Sequence, residues 1–148
     1  TFEYCEKLSE ALNLPVLVLN SGLGMTDNQF SINTFYNCYS LSRITFETNA
    51  DGSPIVAQWK AQTIDLTHYV GYSGTTTSVG DSVYNHDSAV ETINSLPDTS
   101  AYLASAGGTN TIKFTGASGS RTAGGAINTL TEEEIAVATA KGWTVTFA

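Results

Sequence analysis

Charged residues are scarce in this sequence, and basic residues are scarcer still. Asp, Glu, Lys and Arg make up 14% of the chain, against roughly 25% in an average soluble domain. Only 6 residues are Lys or Arg, they are scattered along the chain, and the formal net charge is −8. Because phosphates and anionic lipids are bound by clusters of basic side chains, we expect neither a nucleic-acid partner nor binding to an anionic membrane surface.

A long apolar run is also missing. The longest one extends from Leu14 to Leu19 and contains Pro15, whereas a membrane-spanning helix needs roughly 18 apolar residues. No basic segment precedes an apolar one near the N-terminus, so no signal peptide is visible. The first residue is Thr1 rather than Met, and we expect the true start of the protein to lie upstream. The missing signal is therefore no guide to localisation.

The sequence is equally poor in residues that carry catalysis or hold metals. It has two histidines, His68 and His86, and no Gly-x-Ser-x-Gly segment that would place a serine nucleophile near either. Its two cysteines lack the further Cys or His ligands of a zinc site. There is no Asp-rich calcium loop, and Gly22-Leu-Gly24 lacks the lysine of a phosphate loop. The sequence therefore predicts no enzyme, no cofactor and no metal site.

What the sequence does contain is an internal repeat near its N-terminus. Segments 1–9 (TFEYCEKLS) and 34–42 (TFYNCYSLS) match at Thr, Phe, Cys, Leu and Ser, with one offset of 33 residues for all five pairs. The second copy continues into an alternating pattern, which predicts a strand that buries Ile44 and Phe46 and turns Arg43 and Thr45 outward. Repeats of this kind bury their apolar faces by stacking. We expect the sequence to begin within such an array of repeats.

Two helix-then-strand units follow over residues 87–148. The first has a capping-box pattern at Ser88-Ala-Val-Glu91 and an alternating strand over residues 111–115. The second has a capping box at Thr131-Glu-Glu-Glu134, whose acidic residues suit a helix N-terminus. Its helix is expected to end at Gly142, before a strand over residues 143–147. The apolar residues of the three strands share one register, so we expect the strands to form one parallel sheet with these residues pointing inward: Ile44 and Phe46, Ile112 and Phe114, Val145 and Phe147.

The pattern Phe-x-x-Cys-x-x-Leu followed by an alternating strand resembles the BspA-type, TpLRR-like leucine-rich repeats. Residues 130–146 (LTEEEIAVATAKGWTVT) resemble the terminal segment of such arrays in phage and prophage proteins. The resemblance covers residues 1–46 and 87–147, although the repeat is longer than the roughly 20–29 residues usual in this class. It implies a leucine-rich-repeat-like α/β solenoid, with short parallel strands alternating with helices or loops. Residues 1–46 are its repeats, 47–86 one irregular insertion, and 87–148 its terminal repeats and cap.

The resemblance also implies a function, because such proteins are adhesins, host-recognition modules or virion components. We expect a non-enzymatic recognition or adhesion module of a phage tail-associated or bacterial surface protein. Its location would be extracellular, and its partner a protein or glycan on a cell surface. The alternative is a structural component that packs on neighbouring subunits of an assembly and binds no host ligand.

Five aromatic residues outside the predicted strands are the candidate binding residues. Tyr and Trp give a large contact area at low entropic cost and are frequent in binding surfaces. For Trp59 and Tyr69 the alternative is a purely structural role as the small core of the insertion. The candidates are Tyr36, Tyr39, Trp59, Tyr69 and Tyr72.

Two further expectations concern packing. Cys5 and Cys38 hold the same repeat position and should lie near each other, either as a disulfide or, as we favour, as two buried thiols. At the other end of the chain, Trp143 should turn inward as a lid over the last repeat. Lys141 and the glutamates of the last helix should face water.

Overall fold

The computed structural model describes residues 5–16, 35, 37–66, 70–71, 83–114 and 130–147. Within them the chain forms an α/β domain of short strands and three helices. In chain order these are β1 (Glu10–Leu14), β2 (Arg43–Phe46), β3 (Thr63–Asp65), α1 (His86–Ser95), α2 (Ser100–Ala106), β4 (Asn110–Phe114), α3 (Glu132–Ala140) and β5 (Trp143–Phe147). The strands form two parallel sheets, with orders β1-β2 and β3-β4-β5.

The predicted pairing of the last two strands is confirmed. β4 and β5 are parallel neighbours, with Ile112 opposite Val145 and Phe114 opposite Phe147. Ile112 and Phe114 are buried and Val145 is half-buried, as their alternation predicts. Phe147 was expected to point inward, and this is wrong, since 46% of it is exposed. The edge strand β5 has no strand beyond it, among the residues described, to cover that ring.

The expected solenoid is wrong. β2 was predicted to share one sheet with β4 and β5, but it lies in a separate two-stranded sheet with β1. Helix α1 packs against β2 instead of a third strand. The hydroxyl of Thr92 donates to the Ile44 carbonyl at 2.7 Å, and the Phe46 N–H donates to Ser95 Oγ at 3.0 Å. Because helix side chains bond to these main-chain groups, the stack of parallel strands stops at β2.

The second sheet includes a strand from the segment that was expected to be an irregular insertion. β3 pairs with β4 in parallel, with Ile64 opposite Ile112. Just before it, the Ala57 N–H donates to the Asp98 carbonyl at 2.8 Å. Residues 55–65 are therefore an integral part of the domain and not an insertion on its surface.

A row of aromatic rings joins the two sheets in the core. Trp59 meets Phe46 of β2 and Trp143 of β5 edge-on, with both pairs of ring centroids 6.2 Å apart. All three side chains are at most 3% exposed. Edge-to-face contacts of this kind add to the stabilisation from apolar burial, so Trp59 is a main link between the sheets.

Helix α1 begins earlier than its sequence pattern predicted. Its N-cap is Asn85, whose side chain accepts from the Ser88 N–H while the Ser88 hydroxyl accepts from the Asn85 N–H. The expected box from Ser88 to Glu91 is therefore wrong, and Glu91 is free to bind Arg43. The capping box predicted between Thr131 and Glu134 is confirmed at the start of α3.

Lys141 is buried, which corrects the expectation that it faces water. Its ammonium group donates to the carbonyls of Ile93 and Asn94 at 2.9 and 2.6 Å. These carbonyls belong to the last turn of α1, where main-chain acceptors lack intrahelical partners and a positive charge is favourable. Burial lowers the pKa of Lys141 below its usual value, and the nearby Asp98 partly opposes this. The turn after α3 thus caps the C-terminus of α1.

The chain reverses sharply between α3 and β5 at Gly142. Its φ is +86°, and a Cβ there would lie 2.7 Å from Thr99 Oγ1, so both conformation and space require glycine. The turn directs Trp143 inward, as predicted: the side chain is 1% exposed and its indole N–H donates to the Pro97 carbonyl at 2.9 Å.

Candidate functional site

Of the five predicted binding residues, the structure describes Tyr39 and Trp59. Tyr36, Tyr69 and Tyr72 lie outside the described residues. Tyr39 is half-buried, and Trp59 is 3% exposed. Trp59 packs between Phe46 and Trp143 in the core of the domain, and its side chain presents little surface to a ligand. Its indole nitrogen is buried without a hydrogen-bond partner.

An open groove lies between the β1-β2 sheet and the C-terminal half of α1. Its volume is about 350 Å³, at the small end of the range of roughly 300–1,000 Å³ for small-ligand sites. One wall comes from the two strands and the turn after them, and the other from one side of α1. The lining residues are Leu12, Asn13, Arg43, Thr45, Phe46, Thr48, Gly52, Glu91, Asn94 and Ser95.

Arg43 is the only cationic residue among the described residues that line this groove, and two carboxylates bind it. Its Nε donates to Glu91 Oε2 at 3.0 Å, its Nη2 donates to Glu91 Oε1, and its Nη1 donates to Glu10 Oε1 at 3.2 Å. The bonds to Glu91, and then those to Glu10, raise the pKa of Arg43, and Arg43 lowers the pKa of Glu91. One cation between two anions leaves a net negative charge around Arg43.

The groups available for hydrogen bonding in the groove are neutral. The side-chain amides of Asn13 and Asn94 and the hydroxyl of Thr48 are exposed, and they make no hydrogen bond within the described part of the chain. Asn13 lies where the register of β1 shifts, and its φ is +53°. Its N–H donates to Thr45 Oγ1 at 3.0 Å, which holds this turn in place. Such bulges change the direction in which a side chain points.

Among the described residues, no nucleophile paired with a base lines the groove, and the described histidine lies elsewhere. His86, the first residue of α1, has Nε2 3.0 Å from Glu134 Oε2 and Nδ1 3.3 Å from Asp87 Oδ1. Glu134 also accepts from the Thr131 N–H at 2.8 Å. His86 therefore connects the N-termini of α1 and α3, and the hydrogen bond to Glu134, then that to Asp87, raises its pKa.

This contact predicts a pH-dependent stability. Because the pKa of His86 is raised by folding, its contribution is complete below the ordinary histidine pKa of about 6.5 and is lost as pH rises through the raised value. We expect the urea midpoint to fall between about pH 6 and about pH 8, and to fall less in His86→Gln. An equal fall in His86→Gln would contradict the role of this pair.

The two cysteines are close together, as the repeat predicted. Cys38 is buried, Cys5 is half-buried, and both are free thiols. Burial raises the pKa of the Cys38 thiol, and a hydrogen bond from the Cys5 main chain partly offsets this. A protonated buried thiol is a weak nucleophile, and Cys38 belongs to the hydrophobic core, against which Cys5 packs.

The described ranges contain no group of three or more His, Cys, Asp or Glu residues arranged to hold a metal ion. They also contain no helix long and apolar enough to cross a membrane.

The residues that offer hydrogen bonds in the groove carry no signal that the sequence pattern could reveal. Asn13, Thr48 and Asn94 are single polar residues on three separate segments, and only the packing of α1 on β2 brings them to one groove. No protein-family model matches the sequence, no curated protein matches it, and no solved structure matches the fold. The function must therefore be argued from the groove itself.

Proposed function

We propose that this domain is a non-enzymatic recognition module, which binds a ligand on a cell surface through the groove between the β1-β2 sheet and α1. The observation that carries the proposal is the set of unpartnered neutral groups in an open groove, on Asn13, Thr48 and Asn94. Groups of this kind form reversible hydrogen bonds with a ligand. They do not supply the nucleophile or the general base that a hydrolytic site needs.

The rigidity of the groove also supports binding. Arg43 is held by two carboxylates on opposite walls, Glu10 on β1 and Glu91 on α1. Ser95 and Thr92 fix α1 to the main chain of β2. Because the walls are already fixed to each other, little conformational entropy is lost when a ligand binds.

The proposed location comes from the sequence. The repeat motif of residues 1–9 and 34–42 and the ending of residues 130–146 resemble parts of BspA-type surface proteins. Although the solenoid is absent, these segments support an extracellular module of a phage tail-associated or bacterial surface protein.

The test is to block the groove without changing the fold. Asn94 is an exposed position of α1, and its main-chain carbonyl keeps its bond to Lys141 whatever the side chain. We expect the labelled parent domain to bind at least one member of an array of cell-surface glycans and peptides. Asn94→Trp should lose that binding, whereas Gln58→Trp, at an exposed position outside the groove, should keep it. Equal binding by both variants, or no binding by the parent, would refute the proposal.

One observation favours the alternative, a structural component of an assembly. β5 forms an edge of the three-stranded sheet, and Phe147 on it is 46% exposed. Exposed edge strands with apolar residues readily pair with another chain. The alternative predicts that the parent binds nothing on the array and self-associates with rising concentration, and that Phe147→Lys abolishes this association.

A further inference from the structure

We infer that the ligand of the groove is a neutral oligosaccharide, an inference that rests on the proposed function and names its ligand class. Three features of the groove carry it. They are the net negative charge of its walls, the hydrogen bonds that the main chain beside it already makes, and the neutral side chains that remain free to bind a ligand.

The charge of the walls excludes an acidic ligand. Arg43 is the cation that an acidic sugar or a carboxylate would need, and all three of its guanidinium nitrogens already donate to Glu10 or Glu91. The three groups together carry one net negative charge, and the whole chain carries −8. An anion entering the groove would have to displace a carboxylate from Arg43, or bind beside an uncompensated one.

The main chain beside the groove disfavours an extended peptide. A peptide that binds by strand addition needs free N–H and carbonyl groups along a sheet edge. At β2 the Phe46 N–H is bound by Ser95, and the Ile44 carbonyl is bound by Thr92. At β1 the register shifts between Ala11 and Leu14, and a bulge of this kind interrupts regular pairing.

The side chains that remain free suit hydroxyl groups. Asn13 and Asn94 each offer an amide donor and an amide acceptor, and Thr48 offers a hydroxyl. A sugar hydroxyl both donates and accepts, so it can pair with any of these groups. Leu12 adds an apolar contact, since 38% of it is exposed at the groove. A groove of about 350 Å³ fits a ligand of a few sugar rings at most.

The experiment uses the amide signals of the groove itself. Uniformly ¹⁵N-labelled protein is titrated with neutral oligosaccharides of glucose, galactose, mannose and N-acetylglucosamine. Parallel titrations use oligosaccharides that contain uronic or sialic acids, and a set of uncharged peptides. We expect a neutral oligosaccharide to shift the side-chain NH₂ signals of Asn13 and Asn94.

Three substitutions remove single hydrogen-bonding groups with little effect on the fold. Asn13→Gly suits the positive φ at that position, Asn94→Ala favours the helix, and Thr48→Val keeps the shape of the side chain. Each should weaken binding about fivefold, the effect of one neutral hydrogen bond. Gln58→Ala and Thr144→Val, at exposed positions outside the groove, are the matched controls and should leave the affinity unchanged.

The outcomes separate this inference from the proposed function. If acidic sugars or peptides shift the groove signals and neutral sugars do not, the ligand class is wrong while recognition through the groove stands. The ligand class is also wrong if the three substitutions weaken binding of a neutral sugar no more than the two controls do. If no compound in any of the three sets shifts a groove signal, both the ligand class and the proposed function are overturned.

Discussion

Replacing Trp143 by alanine is expected to lower the free energy of unfolding by roughly 3–5 kcal/mol, as large-to-small changes in a core do. Trp143 is 1% exposed and lies edge-on to Trp59 with ring centroids 6.2 Å apart. Its removal would open a cavity between β5 and the centre of the domain. It would also leave the Pro97 carbonyl, which accepts from the indole N–H at 2.9 Å, without that partner.

Urea unfolding followed by circular dichroism measures this loss. The matched control on the same strand is Phe147→Ala, because Phe147 is 46% exposed and should cost far less. Trp143→Phe should fall between the parent and Trp143→Ala, since it keeps part of the packing and loses the indole hydrogen bond. A midpoint for Trp143→Ala equal to that of the parent would show that the side chain contributes nothing to the core.

The local features of the C-terminal half could be predicted from the sequence because their causes are local. A capping box needs only Thr131 and Glu134, three residues apart. The alternation of Ile112 and Phe114 marks a strand wherever its partner comes from. The shared register with Val145 then placed β4 beside β5, and the structure has the same pairing.

The choice of neighbours could not be predicted in the same way. Alternation at Ile44 and Phe46 indicates a strand, but it does not say whether a strand or a helix lies next to it. That choice depends on Thr92 and Ser95, polar residues within α1 whose side chains bond to the main chain of β2. The solenoid was expected because the three strands have the same apolar alternation. It is absent because helix α1, and not another strand, packs beside β2.

β1 was missed although it directly follows the first copy of the repeat, residues 1–9. Of its five residues only Ala11 is buried, so the segment lacks the alternation of a half-buried strand. The pairing of β1 with β2 nevertheless has the offset of the repeat: Glu10 lies opposite Arg43, as Ser9 bonds to Ser42, 33 residues along. Extending the repeat by a few residues would have located this strand.

The candidate site was the least predictable part of the molecule. Large aromatic residues were chosen as binding residues, and the same size and apolarity place Trp59 in the core. The groove instead depends on small polar side chains from three segments that are distant in sequence. Nothing about Asn13 or Asn94 in isolation distinguishes them from other surface asparagines.

Asn110 supports the second prediction of a large effect, because its buried side chain joins several segments. It is fully buried at the start of β4. Its Oδ1 accepts from the Gln62 N–H at 2.9 Å, and its Nδ2 donates to the Trp59 carbonyl and to Thr99 Oγ1, both at 3.0 Å. Thr99 in turn donates to the Lys141 carbonyl at 2.9 Å. One amide thus holds the segment before β3, the start of α2 and the turn before β5.

Asn110→Ala is therefore expected to cost roughly 3–5 kcal/mol, since it removes the three buried hydrogen bonds that Asn110 makes with the Gln62 N–H, the Trp59 carbonyl and Thr99 Oγ1. Asn94→Ala, which removes an exposed amide, is the matched control and should change the urea midpoint little.

Asn110→Asp gives a second, independent measurement, because it keeps the shape of the side chain and loses the two hydrogen bonds that the amide donates. A buried carboxylate facing a carbonyl has a raised pKa in the folded state, so folding takes up a proton and the loss should shrink as pH falls. If the loss in Asn110→Asp is the same at acid and neutral pH, or if Asn110→Ala unfolds at the urea concentration of the parent, the side chain does not hold these segments together.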